Sequence, residues 1–375
     1  MLGTKMRMQS TEARLPDSEE VKGVLYTWGR NTLGQLGNGR TENVLVPTQL
    51  GIENDWSIIS AGEEHVLAIK NGEVYSWGNN SHGRTGLGTI VMYTLTPHKI
   101  NGLANCSHVA AGYDHSLVIS EGKLFAFGRG HQNQTGLNTT EDITRPTQVG
   151  TFSDWENVVA GNSFSLGIRS GRLYAWGRNA YGKTGVGAVS DNTVEPTEIG
   201  LGFSDWKHIS ARSDTSLAIR NGLLYSWGWN TSGKTGQGTS LGNTLIPTQV
   251  GLGTEYEHGW TKVSVGGSHV LGLRDGKLYV WGSNTGGRLG LGTISGTELL
   301  PIKNNDFSDW EDIAAGATCS LAIRNGEIFT WGSNNNGTTG LGVSSGSQPV
   351  PVRVVSQTGW KSVSVAFHSM AIKEA

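Results

Sequence analysis

Between Asp205 and Gly228 the chain alternates. Trp206, His208 and Ser210 fall on one side of an extended segment, and Lys207, Ile209 and Ala211 on the other. A period of two is what a β-strand imposes. Arg212-Ser213-Asp214 interrupts the pattern as a turn, and Ser216–Arg220 resumes it with Leu217 and Ile219 on one side. Asn221-Gly222 comes next, two residue types that tolerate the positive φ of a tight hairpin. Leu223–Gly228 is the returning strand. A short fourth strand, Pro247–Val250, starts at a proline, which removes a backbone donor and suits a sheet edge. No segment of the unit sustains the 3.6-residue apolar period of a helix.

The unit repeats. Trp-Gly stands at Trp28, Trp77, Trp176, Trp227, Trp281 and Trp331, with Phe127-Gly128 filling the one gap, at spacings of 49, 50, 49, 51, 54 and 50 residues. A period near 50 marks a repeat architecture, so a motif inside it is scaffold before it is chemistry. A second series (Trp56, Trp155, Trp206, Trp260, Trp310 and Trp360) accompanies the first, and the two account for twelve of the 13 tryptophans as core. Small-residue segments such as Ser60-Ala61-Gly62 and Ala314-Ala315-Gly316 are expected where the units crowd together near a common axis. Four antiparallel strands repeated in this way predict an all-β fold, a β-propeller of four-stranded blades. The ends of the chain predict its closure. Trp360–Lys373 supplies two strands of a blade, and Gly23–Gly29 reads as the strand that should follow. Lys373 aligns with Lys70 and Gly23 with Gly72, so the chain break falls inside a hairpin. Seven blades result, with no open edge. Residues 21–375 form the propeller. Residues 1–20 are expected to be a polar arm outside it, disordered or tethering the protein to an assembly.

Composition narrows the partners. Gly is 56 of 375 residues and charged residues are 16%, which fits short strands joined by tight turns. A net charge of -2 argues against nucleic acid as a partner. The chain has no apolar run long enough for membrane insertion, and the arm lacks the apolar core of a secretory signal. Cys106 and Cys319 replace a Trp and a His of the pattern, and read as buried thiols rather than a disulfide or metal pair.

The chemical signals dissolve into the repeat. Gly177–Thr184 (GRNAYGKT) and Gly228–Thr235 (GWNTSGKT) match the phosphate-loop expression, but Gly-rich turns and a proline follow where that loop needs a helix N-terminus. His65, His115, His269 and His368 recur at one strand start, where Phe164, Thr215 and Cys319 also stand, so a local hydrogen bond is expected there rather than a metal. Asp55, Asp154, Asp205 and Asp309 precede Trp as turn formers. No catalytic set, metal or cofactor is predicted, and the chain is read as no enzyme.

The unit resembles the repeat of the regulator of chromosome condensation family, W-G-x-N-x-x-G-Q-L-G-x-G followed by a proline and a G-x-x-H-S-L-A strand. It stands here as WGRNTLGQLGNG (Trp28–Gly39), WGSNTGGRLGLG (Trp281–Gly292) and GYDHSLVI (Gly112–Ile119). The resemblance covers residues 21–375 and implies the seven-bladed propeller. For function it implies a shape rather than a chemistry, since members include exchange factors for small GTPases, a photoreceptor and parts of ubiquitin ligases. Thr in place of Leu at Thr85, Thr135, Thr184, Thr235 and Thr339 resembles bacterial and phage members. An exchange factor would carry a wedge between strands, and the largest excess here is about four residues, around Thr254–Gly259.

Strand polarity gathers two sets of loops on one face: the turns before the S-L-A strands and the loops after Trp-Gly. Function usually sits on such loops. Trp229, the thirteenth Trp, lies there as a candidate partner anchor, with Arg178, Tyr181, Lys183, Tyr113, Phe367, Arg30, Arg129 and His131 around it. The reading is a non-enzymatic binding or structural propeller showing this face to a protein or glycan, in a virion-surface or cell-surface setting. A guanine-nucleotide exchange factor is the alternative.

Overall fold

The structure is a computed structural model that describes residues 22–89, 91–189 and 192–375; the expected arm, residues 1–20, lies outside them. Blade 1 comprises the strands Trp56–Ala61, His65–Lys70, Glu73–Asn79 and Tyr93–Lys99, ordered from the axis outward. Blades 2 to 6 repeat this order over residues 106–148, 155–198, 206–249, 260–303 and 310–353. Blade 7 is composite. Trp360–Val365 and His368–Glu374 come from the C-terminal end, and Gly23–Gly29 and Val44–Gln49 from the N-terminal end. Gly23–Gly29 pairs antiparallel with His368–Glu374 in unbroken register, from Gly23 opposite Glu374 to Gly29 opposite His368. A single bridge from Gly23 to Trp56 ties this blade to blade 1. The predicted closure is thus the observed one.

The core lies between blades, in seven clusters that each draw on two neighbouring sheets. Each Trp of the Trp-Gly pairs is fully buried there. Its indole packs edge-on against the second series, as in Trp56–Trp77 (6.1 Å between centroids, 69°) and Trp260–Trp281 (5.8 Å, 72°). The glycines of the G-x-G segment on the preceding blade let it in. A Cβ on Gly37 would lie 2.9 Å from Trp77 Nε1, and one on Gly340 2.8 Å from Trp28 Nε1.

Hydrogen bonds latch the blades in order. Trp77 Nε1 donates to the Gln35 carbonyl of the preceding blade (2.9 Å), Trp227 to Lys183 (3.0 Å) and Trp331 to Arg288 (2.9 Å). The Lys183 and Arg288 carbonyls take a second bond from the serine that follows the strand start: Ser216 Oγ to Lys183 O (2.8 Å) and Ser320 Oγ to Arg288 O (2.9 Å). The recurring histidines complete the latch. His65 Nε2 lies 2.9 Å from Ser116 Oγ, His115 Nε2 2.9 Å from Ser165 Oγ, and His269 Nε2 2.8 Å from Ser320 Oγ. Each serine proton is committed to a carbonyl, so Nε2 is the donor. The expected local hydrogen bond is in fact a bond to the next blade. Burial holds all four imidazoles neutral, pushing His115 down to about 4 and His368 to about 3.

One other expectation changes. The Asp-Trp aspartates do more than form turns. Asp205 accepts from Arg220 Nε at 2.6 Å, Asp309 from Arg324 at 2.5 Å, and Asp154 pairs with Arg169 at 3.2 Å, each across to the next strand. Around the axis, inner-strand serines accept backbone N–H groups of the next blade, such as Ala111 N to Ser60 Oγ and Ala61 N to Ser364 Oγ, both 2.9 Å. These strands enclose an axial cavity of about 340 Å³. Cys106 and Cys319 are buried and free, and burial pushes the Cys319 thiol up to about 11.

Candidate binding face

The loop after each Trp-Gly is held by one asparagine. Asn80 is buried. Its Oδ1 accepts from Thr85 N (3.1 Å) and Thr85 Oγ1 (2.5 Å), and its Nδ2 donates to the Thr89 carbonyl (2.9 Å). Asn31, Asn230, Asn284 and Asn334 staple their loops in the same way. In blade 2 the position is Gly130, where a Cβ would meet the Glu141 carbonyl at 1.9 Å. These loops are therefore rigid platforms.

The loops and the inner-strand turns meet on one face. Arg30 N bonds to Phe367 O, Arg129 N to Asp114 O, Arg178 N to Ser163 O and Trp229 N to Asp214 O. Tyr113 and Tyr181 are exposed, at 48% and 41%. Trp229 is half-buried and stacks on Tyr181, with centroids 5.5 Å apart and planes at 24°. Trp229, the candidate anchor, thus belongs to an aromatic pair spanning blades 3 and 4. Arg178 is exposed beside it. Arg30 and Phe367 are half-buried, with the guanidinium 5.9 Å from the ring centroid and 3.5 Å from Glu64. Arg129 pairs with the buried Asp114 at 3.1 Å. His131 lies further out, exposed, 3.9 Å from Asp142, which takes a 2.7 Å contact from His82 Nδ1.

Lys183 is the correction among the predicted residues. Its side chain is fully buried, donating to the Asn162 carbonyl at 2.7 Å and to Asp214 Oδ1 at 2.5 Å. It cannot touch a partner. Lys234, its equivalent in the second phosphate-loop match, is also buried and reaches the Gly267 carbonyl at 3.3 Å. Single 3-10 turns, Ala180–Gly182 and Thr231–Gly233, precede these lysines. Both ammonium groups are spent on the protein, and neither site offers a phosphate cradle. No group of three or more His, Cys, Asp or Glu suited to a metal ion exists among the described residues.

Sequence reasoning missed Arg212. From blade 4 it reaches across the axis to the Val365 carbonyl of blade 7 and to Glu63 Oε2 of blade 1, both at 3.2 Å. Burial raises the Glu63 carboxyl, and Arg212 opposes that rise. Only the closed ring brings these residues together, so no local signal announces the bond.

A closed ring of seven four-stranded blades with stapled loops gathered on one face defines a seven-bladed β-propeller. Residues 18–272 match the model of the RCC1-like domain, and residues 275–323 and 325–372 each match the regulator of chromosome condensation (RCC1) repeat. The chain belongs to the RCC1-like family. It is 30% identical over 276 residues to the ultraviolet-B receptor UVR8 of Arabidopsis thaliana, covering 72% of this chain and 52% of that protein. It is 38% identical over 86 residues to the human probable E3 ubiquitin-protein ligase HERC6, 22% of this chain and 8% of that one. The chain thus spans about half the length of the first of these relatives and a small part of the second. In fold it is similar to human WBSCR16 (TM-score 0.82, 22% identity, 94% of this chain and 100% of that one). It is similarly close to Prp20p of Saccharomyces cerevisiae (TM-score 0.80, 22% identity, 95% and 93%), a structure described together with its binding to Gsp1p and histones.

Proposed function

We propose that this chain is a non-enzymatic binding module that presents the face of stapled loops to a protein partner. The Tyr181–Trp229 stack carries the reading. It is an aromatic pair partly open to solvent on loops that are already rigid. Large, preordered aromatic surface costs little entropy on binding and is where interface energy concentrates. The polar groups of the loops are consumed by staples and latches, so the face offers shape and charge rather than a reactive group. Prp20p, whose described partners are proteins, supports a protein over a glycan. A virion-surface or cell-surface setting and kinship with phage proteins rest on sequence style, whereas the relatives named above are plant and human.

Exchange-factor activity is the second reading, favoured by the fold shared with Prp20p. Against it, Thr254–Gly259 is no wedge. It folds back as a compact turn in which the Tyr256 carbonyl accepts from Trp260 Nε1 at 2.7 Å.

A photo-crosslinking residue placed at Tyr181, compared with one at Ile52 (92% exposed, on the opposite face), tests the proposal in lysate of the source organism. A discrete protein adduct from position 181 alone supports it. Adducts from position 52 alone, or the same background from both, refute it.

A further inference from the structure

The charge on the binding face opposes that of the chain. Overall the balance is -2, from 29 cationic and 31 acidic side chains. Around the axis of this face the balance reverses. Arg30, Arg129, Arg178 and Arg212 stand on the loops and turns. Beneath them lies a buried tier of Arg84, Lys183, Lys234 and Arg288. Against these eight cations stand four carboxylates, Glu63, Glu64, Asp114 and Asp214. Glu42, Glu141 and Asp142 lie further out, in the loops that lead to the outer strands.

The buried tier is poorly neutralised. Only Lys183 has a carboxylate partner, Asp214. Arg84 donates to the carbonyls of Ser81 and Tyr113, both at 3.0 Å, and Lys234 to that of Gly267. Arg288 donates to the Thr285 carbonyl at 2.7 Å and to Ser268 Oγ. Among the described residues, none of these three makes an ion pair within 4 Å. Carbonyl dipoles solvate such a charge without cancelling it, so its field reaches the surface above. Burial holds the Lys234 ammonium down at about 8, with Asp214 opposing the fall and Arg212 adding to it. At the surface, Arg178 is exposed and likewise has no ion pair among the described residues.

We infer that the axial part of this face docks an acidic polypeptide segment, its carboxylates meeting Arg178, Arg30 and Arg129 and one apolar side chain resting on the Tyr181–Trp229 stack. The inference rests on the reading of this face as the binding face and adds the partner's chemistry. Discrete acidic side chains fit the pattern better than a nucleic acid. A phosphate backbone carries a charge about every 3.4 Å along a strand and would run onto the interleaved Glu63, Glu64 and Asp114 and the carboxylates further out. An acidic segment can place its charges between them.

The test uses the full chain and a fluorescein-labelled Glu-Glu-Glu-Trp-Glu-Glu-Glu peptide, read by fluorescence anisotropy. Its glutamine counterpart and a ten-nucleotide oligothymidylate serve as comparisons. The expected result is at least tenfold tighter binding of the acidic peptide than of either comparison, weakening as salt rises. Arg178→Glu is expected to weaken it at least tenfold, and Lys207→Glu, the same charge change at the other end of blade 4, less than twofold. Circular dichroism confirms that both variants are folded, and Arg178→Lys should restore binding to within about threefold, since the charge matters here more than the fork. Equal binding of acidic and neutral peptides, tighter binding of the oligonucleotide, or equal losses from both Glu variants would overturn the inference. If the crosslink at position 181 captures a protein while the acidic peptide fails to bind, the charge inference falls and the reading of the face stands.

Discussion

At the seam where blade 7 meets blade 1, one latch is incomplete, and restoring it should stabilise the protein. His368 is fully buried and neither ring nitrogen has a hydrogen-bond partner among the described residues. The equivalent histidines donate to the serine after the next strand start, but at this seam that position is Val66. The Gln35 carbonyl, which elsewhere would accept from that serine, takes only the Trp77 indole. Val66→Ser removes two fully buried methyl groups, a loss of about 2 kcal/mol. It adds a hydroxyl bond to Gln35 O, about 1 kcal/mol, and relieves an orphaned Nε2–H, about 2 kcal/mol. The expected net gain is about 1 kcal/mol. In a His368→Phe background, which copies the Phe164 found at the equivalent position of blade 3, the same change has no donor to relieve and should cost about 1 kcal/mol. Urea unfolding at pH 7.5, followed by tryptophan fluorescence, measures both, and the coupling between the two sites should be about 2 kcal/mol. Equal destabilisation by Val66→Ser in both backgrounds would refute the latch.

Further outcomes follow from the same network. Trp227→Phe removes the bond to Lys183 O, which keeps Ser216 as a donor, and Phe127 shows that a phenyl ring fits this position; the expected cost by urea unfolding is about 1–2 kcal/mol. Because burial lowers the histidine values in the folded state, the unfolded chain takes up protons first. Stability is therefore full above pH 6.5 and is lost as pH falls toward 4, by about 3 kcal/mol for His115 alone; His115→Phe should flatten the acid limb of a stability-against-pH curve. Lys234 is also depressed, so wild-type stability should rise between pH 8 and 10.5 relative to Lys234→Met, by about 3 kcal/mol, in paired denaturant titrations. Cys319, raised and buried, should resist iodoacetamide in the native state at pH 8 and react on unfolding, as mass spectrometry would show.

The blades, their number and their closure were legible because each depends on local pattern: alternation, Asn-Gly hairpins and the Trp-Gly interval. The offset between Lys373 and Lys70 located the chain break, and the observed pairing of Val24 with Lys373 reproduces that of Glu73 with Lys70. The face was legible too, since antiparallel strands fix which loops share an end. The destinations of long side chains were not. Lys183 reads as an exposed loop residue, yet it turns inward to Asp214, some thirty residues further along the chain. The serine partners of the histidines lie one repeat ahead, and Arg212 crosses the axis to Glu63 and Val365. Each of these depends on how neighbouring blades are rotated against one another, which repeat spacing alone does not encode. Trp229 was legible as an outlier, but its stacking partner Tyr181 became evident only once blades 3 and 4 stood side by side.

The central claim is that one face of this ring binds and the rest is scaffold. Peptide-resolved hydrogen exchange on the complex captured through position 181 tests it most directly. The account predicts new protection in the turns at 62–64, 113–114, 162–163 and 213–214 and in the loops from 178 and 229, with the hairpins at 71–72, 170–171 and 221–222 unchanged. Protection confined to those hairpins, or to the outer strands, would contradict it.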